Sequence, residues 1–190
     1  MKSQRIKFCT ATIVLVTVNI LIFLYTNSPE HQYLLDKGAV SAYSVLNGDI
    51  YRIFFSMFLH SDTGHIVSNM LVLALTGGYL EMGVGKRKFL FIYFASGIIA
   101  NLASIVFNII RKTPYISAVG ASGAIFGIEA ALFIFLMRTR SRKNFITIFT
   151  VLVALCIYTG LGGTGVDNMA HLMGMITGLC MGLLFCYPEK

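Results

Sequence analysis

Residues 116–137 read ISAVGASGAIFGIEAALFIFLM. From Ser122 onward the run is apolar enough for a bilayer-crossing helix, and it opens on a serine framed by Gly120, Gly123 and Gly127. An ordinary membrane helix has no need of that frame. Small residues about four apart let helix backbones approach closely, so Gly123, Gly127, Ala130 and Ala131 form a packing stripe. The serine then has two readings. It is incidental to the packing, or the glycines give it room to act.

The rest of the chain sets the context for that run. Its 190 residues are 56% hydrophobic and 12% charged, with a mean hydropathy of +0.77. Soluble domains carry about a quarter charged residues. The composition predicts an all-α, polytopic protein in one membrane domain, with no room for a separate soluble one. Each span takes roughly 20 apolar residues. Six are expected, over about 8–25, 65–82, 89–110, 122–137, 145–161 and 168–186. The N-terminal apolar stretch is long and lacks a small-x-small cleavage site, so it is expected to remain as the first span. Cys9, Cys156, Cys180 and Cys186 make no CxxC or zinc spacing and are expected to be packed or lipid-facing.

Of the 15 Lys and Arg residues, eleven fall at the two termini and in the loops after spans two and four. Only Lys37, Arg52, Arg111 and Lys112 fall on the other side. Both termini are therefore expected to be cytoplasmic. The net charge of +7 then reflects topology and anionic headgroups, with no nucleic-acid partner. The outer segment of about 26–64 is rich in Tyr and Phe and is expected to lie partly in the membrane interface.

This orientation makes spans two, four and six run from outside to inside. His65 and Asn69, Ser122, and His171 then stand at similar depth near the outer surface. Polar and ionisable groups in spans are costly and usually face the bundle interior or a wet cavity. One shared polar pocket is the economical arrangement. His65 and Asn69 lie on one helix face, and Thr76 continues it. Gly174, Gly178 and Gly182 form a stripe on span six near the phase of His171. Packing that stripe on span four would bring Ser122 toward His171. A hydroxyl is a poor nucleophile until a base takes its proton, and neutral histidine does this near pH 7. His65, Asn69 and the Ser122 backbone N–H could hold an oxyanion. These are the parts for acyl transfer, peptide hydrolysis in particular.

Three segments carry a family resemblance. GASGAIFG (120–127) is similar to the GxSG segment of rhomboid intramembrane serine proteases. HSDTGHIVSN (60–69) resembles their HxxxxHxxxN motif, and AHLMGMITG (170–178) their AHxxGxxxG. The resemblance implies a six-helix core with Ser122 as nucleophile and His171 as base. It implies that His65 and Asn69 help to bind the oxyanion, and that the substrates are transmembrane segments of single-pass proteins. Phe126 matches an aromatic position that packs near the histidine. Relatives commonly have Trp-Arg in the first loop, where this chain has Tyr51-Arg52. Glu81 matches a structural acidic residue at the inner end of span two.

The plainer readings run beside these. A serine at a helix start is ordinarily an N-cap or a packing residue. His171 could bond a neighbouring carbonyl, and His65 with Asn69 could tether the outer loop. His60 is expected to hold the loop end. Asp167 is expected to cap span six and not to complete a triad. Glu129 lies about 10 Å deeper than Ser122 along the helix and is expected to be paired or protonated in the bundle. No cofactor or metal is expected, since HExxH is absent, and the one Gly-Asp pair, Gly48-Asp49, lies in the outer loop, which argues against an intramembrane aspartyl protease. Two functional alternatives remain: a silent rhomboid-like protein that binds membrane clients, and a small transporter, whose polar groups would lie near the midplane. The first loop or span five is expected to move for substrate entry. The short six-span plan favours a bacterial plasma membrane.

Overall fold

The computed structural model describes residues 9–139 and 166–186. The described chain is a bundle of helices with one two-stranded ribbon. Helix α1 covers Thr10–Thr26. Three short helices follow before the second span: α2 (Tyr33–Gly38), α3 (Ala42–Leu46) and α4 (Arg52–Phe55), the last running into a 3₁₀ turn at Ser56–Phe58. The second span is α5 (Thr63–Val72), a π-helical turn (Leu73–Gly77) and α6 (Gly78–Val84). Then come α7 (Lys86–Ile110), α8 (Ser122–Arg138) and α9 (Asn168–Phe185). The segments Thr63–Val84, Lys86–Ile110 and Asn168–Phe185 are long and apolar enough to cross a membrane, and Thr10–Thr26 is a shorter apolar helix. The span expected at about 145–161, and with it Cys156, lies outside the described residues.

The third span starts at Lys86, three residues before the expected boundary, because Gly85 with φ +87° turns the chain directly into the helix. The second span departs from a uniform α-helix. The π turn interrupts the phase that would carry Thr76 onward from Asn69, and the Thr76 hydroxyl donates to the Val72 carbonyl at 2.8 Å.

The core forms where α9 lies along both α8 and α7. Its closest seam is made by glycines. A methyl group at Gly174 would strike the Gly123 carbonyl, and one at Gly178 would strike the Gly127 carbonyl. At Gly182 it would come within 3.0 Å of Ala131 Cα. Without a hydrophobic drive between helices in lipid, this close backbone contact supplies dispersion that larger residues would prevent. Buried Phe89, Ile92, Leu73, Ile128 and Leu132 continue the core on the other sides.

Polar contacts fasten the ends. At the end where α8 and α9 finish, Arg138 Nη1 donates to the carbonyls of Gly182 at 3.2 Å and Leu183 at 3.0 Å, completing the C-terminus of α9. Glu81, 4% exposed, accepts from the N–H groups of Ala11 at 2.9 Å and Thr12 at 2.7 Å, and from the Thr12 hydroxyl at 2.8 Å. Helix α1 has no side-chain cap of its own, so Glu81 serves as its remote cap, with its charge at the positive end of the dipole. Glu81→Ala is expected to leave these donors unsatisfied and to lower stability by about 1–3 kcal/mol. The thermal unfolding midpoint in detergent micelles measures it.

At the opposite end, where α5, α8 and α9 begin, the first loop is tied down. Arg52 donates to the carbonyls of Asp36 at 2.9 Å and Ala39 at 3.2 Å and pairs with Asp49 at 2.6 Å. Strand β1 (Val40–Ser41) pairs antiparallel with β2 (Ser117–Ala118). The end of the loop plunges inward: Ser56, Met57, Phe58, Leu59 and His60 are all buried.

Candidate active site

Helices α5, α8 and α9 begin at the same end of the bundle, and their first turns converge there. Ser122 is the first residue of α8, reached through Gly120, whose φ of +126° is open to glycine and strained for other residues. Any side chain at Gly120 would also collide: its Cβ would lie 2.7 Å from Nε2 of His65. Ala121 holds the cap position of α8 and no side chain caps it. Ser122 is therefore not spent as an N-cap, and its own N–H is one of the four N-terminal donors that lack an intrahelical acceptor.

His171 stands in the first turn of α9. Its Nε2 lies 2.8 Å from the Ser122 hydroxyl oxygen, within hydrogen-bond reach. The Phe126 ring, one turn further along α8, stacks on the imidazole with centroids 4.3 Å apart and planes 20° from parallel. That contact and the Gly123–Gly174 seam directly beneath set the depth and plane of the ring. Nδ1 of His171 has no hydrogen-bond partner among the described residues. Asp167 is instead turned to its own helix, accepting from the Ala170 N–H at 2.9 Å. It also accepts from the Ser104 hydroxyl of α7, so it caps α9 and ties it to the third span. The expected capping role of Asp167 is the observed one.

On the second span, Asp62 caps α5 by accepting from the His65 N–H at 2.9 Å, and that bond holds its carboxyl below the usual range. Asn69 is buried, and its amide nitrogen donates to Nε2 of His60 at 3.1 Å. The same nitrogen comes within 3.6 Å of a Cβ position at Gly120. An amide has two N–H bonds, so one goes to His60 and one is left for the Gly120–Ser122 side. His65 is held differently. Its Nδ1 lies 3.1 Å from the Ser61 hydroxyl, which also lies 2.8 Å from Asp62 Oδ2. With that hydroxyl donating to Asp62, it accepts from Nδ1–H of His65. Nε2, the nitrogen against Gly120, then carries a proton only on a charged ring.

His60 does hold the loop end, through Asn69. Burial first, and the neighbouring His65 second, keep its imidazole down at about 3, against an ordinary value of 6.5. It is neutral at physiological pH, and Nε2 is the acceptor for Asn69. The unfolded chain takes up this proton before the folded one. The stability His60 contributes is therefore complete above about pH 6.5 and is lost as the pH falls toward about 3. Thermal midpoints in detergent are expected to drop between about pH 7 and 4, with a shallower drop in His60→Gln.

Glu129 is buried two turns along α8, away from Ser122. Cys9, Cys180 and Cys186 are free thiols. Among the described residues no group of three or more His, Cys, Asp or Glu side chains is placed to hold a metal ion. The links through Ser56, Asn101 and Ser104 were not legible in the sequence. Each is a single polar residue in an apolar stretch, with nothing local to name its partner.

Comparison with known proteins agrees with this geometry. A family model described as the Rhomboid domain matches residues 47–188. The chain is 30% identical over 181 residues to "Putative rhomboid protease YdcA" of Bacillus subtilis, covering 93% of this chain and 88% of that protein. It is 34% identical over 209 residues to "Rhomboid protease AarA" of Providencia stuartii, covering 94% and 74% respectively. "Rhomboid protease GluP" of Bacillus subtilis is 33% identical over 188 residues, covering 95% of this chain and 36% of that protein. The chain belongs to the rhomboid family of integral membrane serine proteases.

Proposed function

We propose that this chain cleaves transmembrane segments of single-pass proteins close to the outer leaflet, with Ser122 as nucleophile and His171 as general base. The observation that carries the reading is the 2.8 Å approach of His171 Nε2 to the Ser122 hydroxyl across two different helices. A substrate helix unwinds locally, since a regular helix engages its carbonyls in its own hydrogen bonds. Ser122 Oγ bonds to the carbonyl carbon as its proton passes to His171 Nε2. The tetrahedral intermediate collapses with loss of the C–N bond, and His171 returns the proton to the departing amine. Water, deprotonated by the same imidazole, then hydrolyses the ester and frees Ser122.

The oxyanion is held by the Ser122 N–H and the free N–H of Asn69, with His65 a donor when its ring is charged. Asn69→Ala is expected to cost about 10²-fold in kcat and leave measurable cleavage, since one such donor is worth about 10²–10³. His65→Ala is expected to cost less than Asn69→Ala at pH 8, where a neutral ring has only the proton engaged by Ser61. Steady-state kinetics at matched pH separate the two.

The distribution of Lys and Arg supports cytoplasmic termini, which puts the first turns of α5, α8 and α9 at the outer surface. That placement also separates this reading from a transporter, whose polar groups belong near the midplane. Bacterial relatives, one of them covered over 88% of its length, support a bacterial plasma membrane. No cofactor enters the chemistry. The test is purified protein in liposomes with a single-pass substrate whose cut site is mapped by mass spectrometry. Cleavage within the outer third of the substrate helix is expected. Intact substrate beside folded wild-type protein would favour a client-binding role.

A further inference from the structure

We infer that Asn101, in the middle of the third span and touching neither Ser122 nor His171, is a positioning residue for the oxyanion site, acting through the buried turn at Ser56. This inference rests on Ser122 being the nucleophile.

An asparagine within a membrane helix is costly unless its amide is satisfied. Asn101 satisfies it across the bundle: Nδ2 donates to the Ile53 carbonyl at 2.8 Å and to the Ser56 hydroxyl at 3.0 Å. Both acceptors belong to the end of the first loop, where α4 passes into the 3₁₀ turn. Ser56 is 1% exposed and Asn101 is 9% exposed. The next residue, Met57, is wedged against α7 so closely that a methyl group at Gly97 would strike its side chain. The turn is thus held by hydrogen bonds on one residue and by packing on the next.

Its main chain faces the site. The Ser56 carbonyl accepts the Gly120 N–H at 2.9 Å. Gly120 has the positive φ that swings the chain into α8, and it is flanked by His65 Nε2 and Asn69 Nδ2. Two residues later comes the Ser122 N–H. The path is Asn101 to Ser56 to Gly120 to the peptide that carries the oxyanion donor. A donor has to sit within a few tenths of an ångström of its place, and an error of about 1 Å can cost 10²-fold. Among the described residues, Asn101 supplies the side-chain bonds to the Ile53 carbonyl and the Ser56 hydroxyl, so its loss loosens the turn and lets Gly120 shift with it.

A purely architectural asparagine would lower stability and the fraction of active enzyme, leaving each active molecule as fast as before. The measurement is therefore kcat per active site, counted by fluorophosphonate titration, for Asn101→Ala and for the milder Asn101→Ser, which keeps a hydroxyl donor. For Asn101→Ala we expect kcat per site to fall about 10-fold with KM within about two-fold. Asn101→Ser should recover part of the loss. Combined with Asn69→Ala, the losses should fall short of their product, because both act on one oxyanion. Unchanged turnover per site, a loss confined to KM, fully multiplicative losses, or failure of both variants to fold would each overturn the inference. A wild-type protein that does not react with the fluorophosphonate at all defeats the assignment of Ser122 itself. A reactive wild type matched by its Asn101 variants defeats only the positioning role.

Discussion

Ser122→Ala is expected to abolish both peptide cleavage and fluorophosphonate labelling, with a thermal midpoint close to that of wild type. Among the described residues the hydroxyl makes one hydrogen bond, to His171, and it caps no helix, so its removal takes little from the fold. What it takes from the proposed chemistry is the atom that would bond to the carbonyl. His171→Ala is expected to be nearly as severe, because among the described residues no carboxylate or second imidazole is hydrogen-bonded to Ser122 to replace the base. Nucleophile and base act as a unit, so either loss should cost on the order of 10⁴-fold or more, and the double variant little beyond the worse single one. Cleavage in liposomes and gel detection of the labelled protein measure both. Full activity in the His171 variant would remove the base assignment, and labelling that survives in Ser122→Ala would move the nucleophile elsewhere.

The second large effect is expected at residues that touch no substrate. Gly174→Ala should cost about 10²-fold in kcat, and Gly178→Val should lower the unfolding midpoint as well. A methyl group at Gly174 meets the Gly123 carbonyl, and one at Gly178 meets main-chain atoms of Gly127 at 2.6 Å. Backbone cannot rotate aside as a flexible side chain can, so α9 has to move away from α8. Gly123 follows Ser122 directly, and Gly174 lies one turn below His171. A separation of the helices there lengthens the 2.8 Å contact itself, and about 1 Å is enough for a 10²-fold loss. The larger valine at Gly178 adds an overpacking cost of about 1–3 kcal/mol. Thermal unfolding in detergent and turnover per titrated site separate the two effects. Wild-type turnover in Gly174→Ala would mean that the seam does not control the spacing of the pair.

Helices lie within a few residues of five of the six expected spans, because bilayer-crossing helices must be long, apolar and internally hydrogen-bonded. The misses have local causes. The start of α7 moved to Lys86 because charged side chains tolerate a helix's first turn at the membrane surface. The π turn in the second span was invisible, since Leu73–Gly77 has a composition that suits either winding. Ser122, His171, His65 and Asn69 stood out because polar groups in apolar helices are conspicuous. Their mutual distances were not available from phase: Ser122 lies to one side of its own glycine stripe, and contact with His171 depends on how deeply two helices interlock.

The linear chain by itself determined the class of protein, the like direction of the three site-bearing helices and the residue types available for chemistry, because hydrophobicity, charge bias and spacing are properties read along one strand. Only the tertiary structure decided that Asp167 serves its own helix and Ser104, that Asn69 donates to His60 beside Gly120, and that Asn101 reaches Gly120 through Ser56. Each of those choices is a competition among buried donors for acceptors on other helices. Its outcome is set by distances of a few ångströms that exist only once the glycine seam has closed.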